Sequence, residues 1–132
     1  MKVALDTNVI VSAFINTNGT PAKILSLVLG GKIKMLYDNR ILFEYYDVLS
    51  RKEFGFDSET IRNMMDFFKH EGEFVNAEPV TTKFADETDI KFYEVSKTGD
   101  AQYLITGNIK HFPKDDSIIT PKEFLEKWLL SN

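Results

Sequence analysis

The chain contains no cysteine, and its 132 residues include only two histidines, His70 and His111. The absence of cysteine excludes a thiol nucleophile, a disulfide framework and a structural zinc–cysteine site. The two histidines do not have the spacing that is typical of zinc ligands. We therefore expect neither thiol chemistry nor a conventional zinc site.

The sequence also lacks an apolar run long enough to span a bilayer, a signal-peptide pattern and a basic leader. We therefore expect a cytoplasmic protein with no membrane association, and the lack of cysteine is compatible with that compartment. No internal repeat, low-complexity tract or linker-like stretch interrupts the chain. Its length lies in the usual range for one domain, so we expect a single domain over residues 1–132.

An excess of positive charge is missing as well. The chain has 16 Lys and Arg against 20 Asp and Glu, a formal net charge of −4, whereas a general nucleic-acid binder usually carries a basic footprint. A local basic rim that contacts phosphates remains possible, because four lysines lie near the segments that contain Asp89 and Asn108: Lys91, Lys97, Lys110 and Lys114. The alternative is that they are ordinary solvated lysines.

What the sequence does contain is an alternation of apolar strand patterns and amphipathic helix patterns. Short apolar runs predict strands at residues 2–6, 33–37, 73–77, 103–106 and 117–119, of which the third is the weakest. Helical patterns lie between them, and the capping box Thr120-Pro121-Lys122-Glu123 opens the last helix. This order predicts an α/β fold: a three-layer α/β/α sandwich with a mainly parallel, roughly five-stranded sheet.

Two of these strands deliver a polar side chain at their carboxyl end. Asp6 is predicted to be the last residue of the first strand, and Asn108 follows the strand at 103–106. Open α/β sheets bind ligands at this edge. We therefore expect Asp6 and Asn108 to lie close together.

Helical phase places two acids on faces that turn toward the sheet. Glu44 shares a stripe with Ile41, Tyr45 and Val48, and Asp89 shares one with Ala85, Phe92 and Ser96. Burying such charges without partners is costly, so cations would explain them economically. Hard oxygen ligands favour magnesium or manganese.

Each of the four residues also has an ordinary structural interpretation when it is taken alone. Asp6 could cap a helix that begins near residue 8, Glu44 could pair with a nearby arginine, and Asp89 could stabilise the first turn of its helix. Asn108 could be a turn residue after a glycine. Only the four together, at one predicted edge, favour a functional site.

Several short blocks of the sequence resemble the PIN domain, and more narrowly the VapC-like ribonucleases, the toxin components of type II toxin–antitoxin systems. The resemblance spans nearly the whole chain, and the order and spacing of the blocks are more specific than any block alone. The blocks are Asp6-Thr7-Asn8-Val9, Glu44-Tyr45 with Val48-Leu49-Ser50-Arg51, Asp86 to Asp89 with Phe92, Leu104-Ile105-Thr106-Gly107-Asn108, and His111-Phe112.

The resemblance implies an endoribonuclease that depends on Mg²⁺ or Mn²⁺, with Asp6, Glu44 and Asp89 as its catalytic, metal-binding acids. Two cations about 4 Å apart can activate water, hold the scissile phosphate and stabilise the leaving oxygen. The family commonly has a fourth acid where this chain has Asn108. An amide oxygen can still bind a hard cation but adds no charge, so the number of cations, one or two, stays open.

The resemblance also implies accessory residues and partners. The accessory positions are Asn8, Asp86, Thr106 and His111, with capping as the alternative role for Asp86, and the candidate RNA contacts are Lys91 and Lys110. The expected partners are an RNA substrate and a small antitoxin protein that covers the acidic cleft. We also expect a homodimer, because the family commonly pairs and the aromatic content could supply an apolar patch.

Two other function classes remain open. In the first, Asn108 marks lost catalysis and the chain is a PIN-like binding module with a degenerate site. In the second, Asp6 is the nucleophile of an aspartate-dependent phosphohydrolase. That chemistry is associated with an acid two residues after the nucleophile, where this chain has Asn8.

Overall fold

Five short strands and six helices alternate along residues 1–131, the part of the chain that the computed structural model describes. The strands are β1 Lys2–Leu5, β2 Lys34–Tyr37, β3 Glu73–Phe74, β4 Tyr103–Ile105 and β5 Ile118–Ile119. The helices are α1 Thr7–Ile15, α2 Thr20–Leu29, α3 Asn39–Leu49, α4 Ser58–Glu71, α5 Ile90–Thr98 and α6 Pro121–Ser131. Short 3-10 turns cover Glu87–Asp89 and Ile109–His111.

The strands form one sheet in the order β3-β2-β1-β4-β5, and all their pairings are parallel. From β1 the chain moves outward to β2 and β3, then returns across the sheet to β4. Right-handed crossovers therefore place α1 to α4 on one face and α5 on the other. The predicted α/β sandwich with a five-stranded parallel sheet is confirmed.

The direction of winding reverses between β1, the central strand of the sheet, and its neighbour β4. Leu5 and Ile105 are register partners there, so both strands end at the same level. A doubly wound sheet opens a crevice at such a switch point, outside the carboxyl ends of the strands. The fold thus provides a concave edge where Asp6 and Thr106 emerge.

Tyr45 links the core to this edge. It is fully buried, its ring lies 5.9 Å from that of Phe68 and 6.4 Å from that of Phe92, and its hydroxyl donates to the carbonyl oxygen of Leu5. This hydrogen bond fastens α3 to the end of β1. Glu44 precedes Tyr45 and Asp6 follows Leu5 in the sequence, so the hydrogen bond also brings these two acids to the crevice.

Several predicted boundaries are wrong in detail. The strand predicted at 73–77 has only two residues, and the one at 117–119 also has two. Ala85 is exposed and lies before the 3-10 turn, so it does not belong to the inward stripe assigned to Asp89. The capping box is confirmed, because Thr120 Oγ1 accepts from the Glu123 amide at 3.1 Å and Glu123 Oε1 accepts from the Thr120 amide at 3.3 Å.

Within residues 1–131, no helix combines the length and apolar character needed to cross a membrane.

Phe68 tests how far the core supports this edge. We expect Phe68→Ala to lower the free energy of unfolding by about 3–5 kcal/mol, because the fully buried ring leaves a cavity beside Tyr45. Phe43 is 74% exposed, so Phe43→Ala should change stability by no more than about 0.5 kcal/mol. Urea unfolding measures both, and equal losses would contradict this account of the core.

Candidate active site

Asp6 lies at the N-terminal end of α1 but does not cap that helix with its side chain. Its Oδ2 instead accepts a hydrogen bond from Thr106 Oγ1 at 2.7 Å and a longer one from Asn8 Nδ2 at 3.4 Å. The residue is only 6% exposed. The side chain of Asp6 is therefore not a helix cap, and its carboxylate faces the end of β4.

The pKa of Asp6 is raised to about 6, chiefly by burial; the hydrogen bond from Thr106 acts in the opposite direction, and the negative charges of Asp89 and Glu44 act in the same direction as burial. Asp89 and Glu44 are thus near enough to Asp6 for their charges to act on it. Such crowding disfavours three simultaneous negative charges. A divalent cation would remove that penalty.

Asp89 ends the 3-10 turn before α5 and is buried. Its Oδ2 has no hydrogen bond within residues 1–131, although Nδ1 of His111 lies 3.3 Å away. Burial raises the pKa of Asp89, as does the charge of Asp86, whereas His111 and Lys91 lower it. A buried carboxylate oxygen without a hydrogen bond is unusual and fits an oxygen site for a hard cation.

Glu44 is half-buried, and both of its oxygens are engaged. Oε1 lies 2.7 Å from the ammonium of Lys91, and Oε2 accepts from the hydroxyl of Thr7. The partner of Glu44 is thus a lysine on α5, whereas the sequence suggested an arginine. The sequence alone predicts no role for Thr7, although Thr7 directly follows Asp6 in the run Asp6-Thr7-Asn8.

The donor chemistry of these residues fits Mg²⁺ or Mn²⁺, because the three acids offer only oxygen. Their arrangement is not that of a closed ligand set. Within residues 1–131, no three histidine or acidic side chains converge closely enough to hold one metal ion as they stand. An ion pair with Lys91 engages Glu44, and the ring of His111 lies 3.3 Å from Asp89.

Residues after β4 organise the other side of the site. Thr106 is fully buried, and its Oγ1 also accepts from the amide of Asn108 at 2.9 Å. Asn8 Oδ1 accepts from the amide of Gly107 at 3.1 Å. Asn108 is exposed, and its side chain makes no hydrogen bond in the described part of the chain.

The remaining predicted residues do not form one basic rim. Lys91 points inward, with a side chain only 12% exposed, and Lys97 is paired with Asp115. Lys110 and Lys114 are exposed. Asp86 is exposed and caps the 3-10 turn, with Oδ1 accepting from the Thr88 amide at 2.9 Å, which is the alternative role considered above.

A cleft of about 800 Å³ leads away from Glu44 and Lys91 between α3 and α5. Arg40 lies along it and pairs with Glu94 at 2.7 Å and with Asp38 at 2.8 Å. Glu94 is buried and its Oε2 also accepts from the Val80 amide at 2.9 Å, so it ties the preceding loop to α5. Sequence reasoning missed this network, in which only Asp38, a helix cap, had a local signal.

Comparison with known proteins gives three findings. A sequence model described as PIN domain matches residues 2–110. An uncharacterized protein of Methanocaldococcus jannaschii is 32% identical, over 97% of this chain and 92% of that protein. The crystal structure of VapBC2 from Rickettsia felis, bound to a DNA fragment from their promoter, contains a chain with a similar fold. The TM-score is 0.59 at 18% identity, over 91% of this chain and 97% of that one.

The raised pKa of Asp6 predicts an unusual dependence of stability on pH. The native pKa of about 6 lies above the ordinary 3.8, so the native state binds more protons in this window and loses stability as the pH rises through it. We therefore expect Asp6→Asn to be more stable than the wild type at pH 7 in EDTA, by about 2–3 kcal/mol. The difference should shrink toward about pH 4.

Urea unfolding in EDTA at several pH values measures this difference. Asp86→Asn is the matched control, because Asp86 is exposed and its hydrogen bonds with Thr88 lower its pKa. That variant should gain no stability at pH 7. Equal or lower stability of Asp6→Asn at pH 7 would contradict the electrostatic account of the site.

Proposed function

The chain belongs to the PIN domain family, and on that premise we propose that it is a metal-dependent endoribonuclease, the toxin of a toxin–antitoxin pair. The observation that carries the proposal is that Asp6 is buried at the switch point of the sheet, held there by Thr106, and lies near enough to Asp89 and Glu44 for their charges to act on it. One buried oxygen of this group, Oδ2 of Asp89, has no hydrogen bond within residues 1–131.

We assign Asp6, Glu44 and Asp89 as the residues that hold Mg²⁺ or Mn²⁺. When bound, the cation would activate water and stabilise the charge that develops on the scissile phosphate. Thr106 and Asn8 orient Asp6 by donating to its Oδ2, and His111 lies against Asp89. Asn108 offers a neutral amide oxygen at the same edge, so it adds no charge to attract a second cation.

RNA would approach along the cleft beside Glu44, where the protein offers little net positive charge. Arg40 is neutralised by Asp38 and Glu94, and Lys91 by Glu44. Lys110 is exposed and lies next to His111, so it is the better candidate for a phosphate contact. Cation binding would itself reduce the negative charge that RNA meets.

Two alternative functions, a degenerate binding module and an aspartate-dependent phosphohydrolase, assign other roles to the residues of the candidate site. A degenerate binding module is favoured by the ion pair that engages Glu44, by the contact of His111 with Asp89 and by the neutral Asn108. An aspartate-dependent phosphohydrolase is disfavoured, because that chemistry is associated with an acid two residues after the nucleophile, where this chain has Asn8. RNA cleavage and cation binding separate the leading proposal from the first alternative.

We expect the purified protein to cleave a mixed RNA pool in Mn²⁺ but not in EDTA. Asp89→Asn should lower the cleavage rate by about 100-fold or more, since it removes a charged ligand of the cation. Asp116→Asn is the control, because Asp116 is an exposed acid outside the site. It should cleave at the wild-type rate. No cleavage by folded wild-type protein would shift the assignment to the binding module.

The toxin assignment implies an antitoxin that covers the cleft, and we place the pair in the cytoplasm. Support comes from the fold shared with a chain of the VapBC2 structure. The proposal is tested by adding the candidate antitoxin, which should abolish RNA cleavage at a molar ratio near one. Unchanged cleavage would remove that protein as the partner.

We also propose a homodimer, because several large apolar side chains are exposed, among them Ile15, Leu29, Phe74, Leu129 and Leu130. Light scattering of the purified protein should give twice the chain mass of 15.2 kDa. A mass of one chain across a range of concentrations would defeat this prediction.

A further inference from the structure

Lys91 is an internal cation of the candidate site. Its side chain is only 12% exposed, and its Nζ lies 2.7 Å from Oε1 of Glu44. The same ammonium donates to the carbonyl oxygen of Thr88 and lies 5.1 Å from the centroid of the Phe92 ring. These contacts hold the charge in a defined place, unlike that of an ordinary solvated lysine.

The three acids differ in the contacts that a cation would have to displace. Asp6 accepts hydrogen bonds only from neutral groups, and Asp89 has a buried oxygen without any hydrogen bond in the described chain. Glu44 is engaged at both oxygens, by Lys91 at one and by Thr7 at the other. A cation that takes Glu44 as a ligand therefore has to replace one of these donors.

We infer that Lys91 is the counter-ion of Glu44, and that a divalent cation gains Oε1 of Glu44 as a ligand only when the Lys91 ammonium moves away. Lys91 is then a positioning residue. It holds Glu44 in place in the metal-free protein and lowers the affinity of the site for the cation. This inference rests on the proposed metal site.

One short segment of the chain supplies both an acid and a counter-ion of the site. Lys91 follows Asp89 by two residues, so the segment that brings one acid into the site also brings the lysine that neutralises another. The ammonium and a divalent cation cannot both lie within contact distance of the same carboxylate oxygen without strong mutual repulsion. Competition follows directly from the 2.7 Å separation.

The experiment is a calorimetric titration of the RNA-free protein with Mn²⁺. Lys91→Met should bind Mn²⁺ about tenfold more tightly than the wild type, since the competing ion pair is gone. Lys97→Met is the matched control. Lys97 lies on the same helix, is paired with Asp115 and lies 5.4 Å from the Tyr93 ring centroid. It should leave the affinity within about twofold of the wild type, because it removes an equal charge outside the site.

A double-mutant cycle isolates the competition from a general change of charge. In the Glu44→Gln background the partner of Lys91 is neutral, so adding Lys91→Met should change Mn²⁺ affinity by less than about twofold. If Lys91→Met raised the Mn²⁺ affinity about tenfold in both backgrounds, the gain would come only from removing the repulsion between the Lys91 ammonium and the cation. The inference would then be overturned. Lys91→Gln replaces Lys91→Met if the latter does not fold, as judged by circular dichroism.

The same titrations separate this inference from the function on which it rests. If the wild type binds Mn²⁺, Asp89→Asn loses it and Lys91→Met binds no more tightly, then the metal site stands and the role of Lys91 is wrong. If no folded preparation binds Mn²⁺, both proposals fall together.

Discussion

The repulsion among three carboxylates at one edge of the sheet is the constraint to which the rest of the site responds. Asp6 and Asp89 are both buried, and each has a raised pKa because of that burial. Their neighbours reduce the penalty in different ways: Thr106 donates to Asp6, His111 approaches Asp89, and Lys91 neutralises Glu44. A site of this kind is stable only because the surrounding fold fixes its members.

Tyr45 shows how the fold does so. Its ring packs in the core between Phe68 and Phe92, and its hydroxyl holds the carbonyl of Leu5, one residue before Asp6. One side chain therefore couples the apolar core, the end of β1 and the helix that carries Glu44. Burial and the nearby charges of Asp6 and Glu44 raise the pKa of Tyr45, so the phenol stays neutral and keeps donating. The free energy gained in the core offsets the electrostatic cost at the edge.

The sequence was informative where a local pattern decides the structure. Asp6 could be placed because an apolar strand ends beside it, and Glu44 because α3 is a regular helix that carries Tyr45 inward. At the end of β4 the sequence favoured Asn108 as the site residue, whereas the side chain that contacts Asp6 is that of Thr106. Helical phase failed at Ala85, because the chain enters α5 through a 3-10 turn that the assumed period of 3.6 does not describe. The pairing of Lys91 with Glu44 could not be predicted from a local pattern, since it joins residues that lie 47 positions apart on two helices. The contact of Arg40 with Glu94 is long-range for the same reason.

Net charge was the least informative feature of the sequence, and the structure gives the reason. The value of −4 is a sum over the whole chain, whereas a ligand meets only the charges that lie within about 10 Å of its path. Along the cleft, most charges are already compensated, as Arg40 is by Asp38 and Glu94, and Lys91 is by Glu44. Within residues 1–131, Asp6 makes no ion pair with a lysine or arginine, and the basic side chain in contact with Asp89 is His111, at 3.3 Å. The electrostatic character of the site therefore depends on whatever neutralises these two acids, and much less on the composition of the chain.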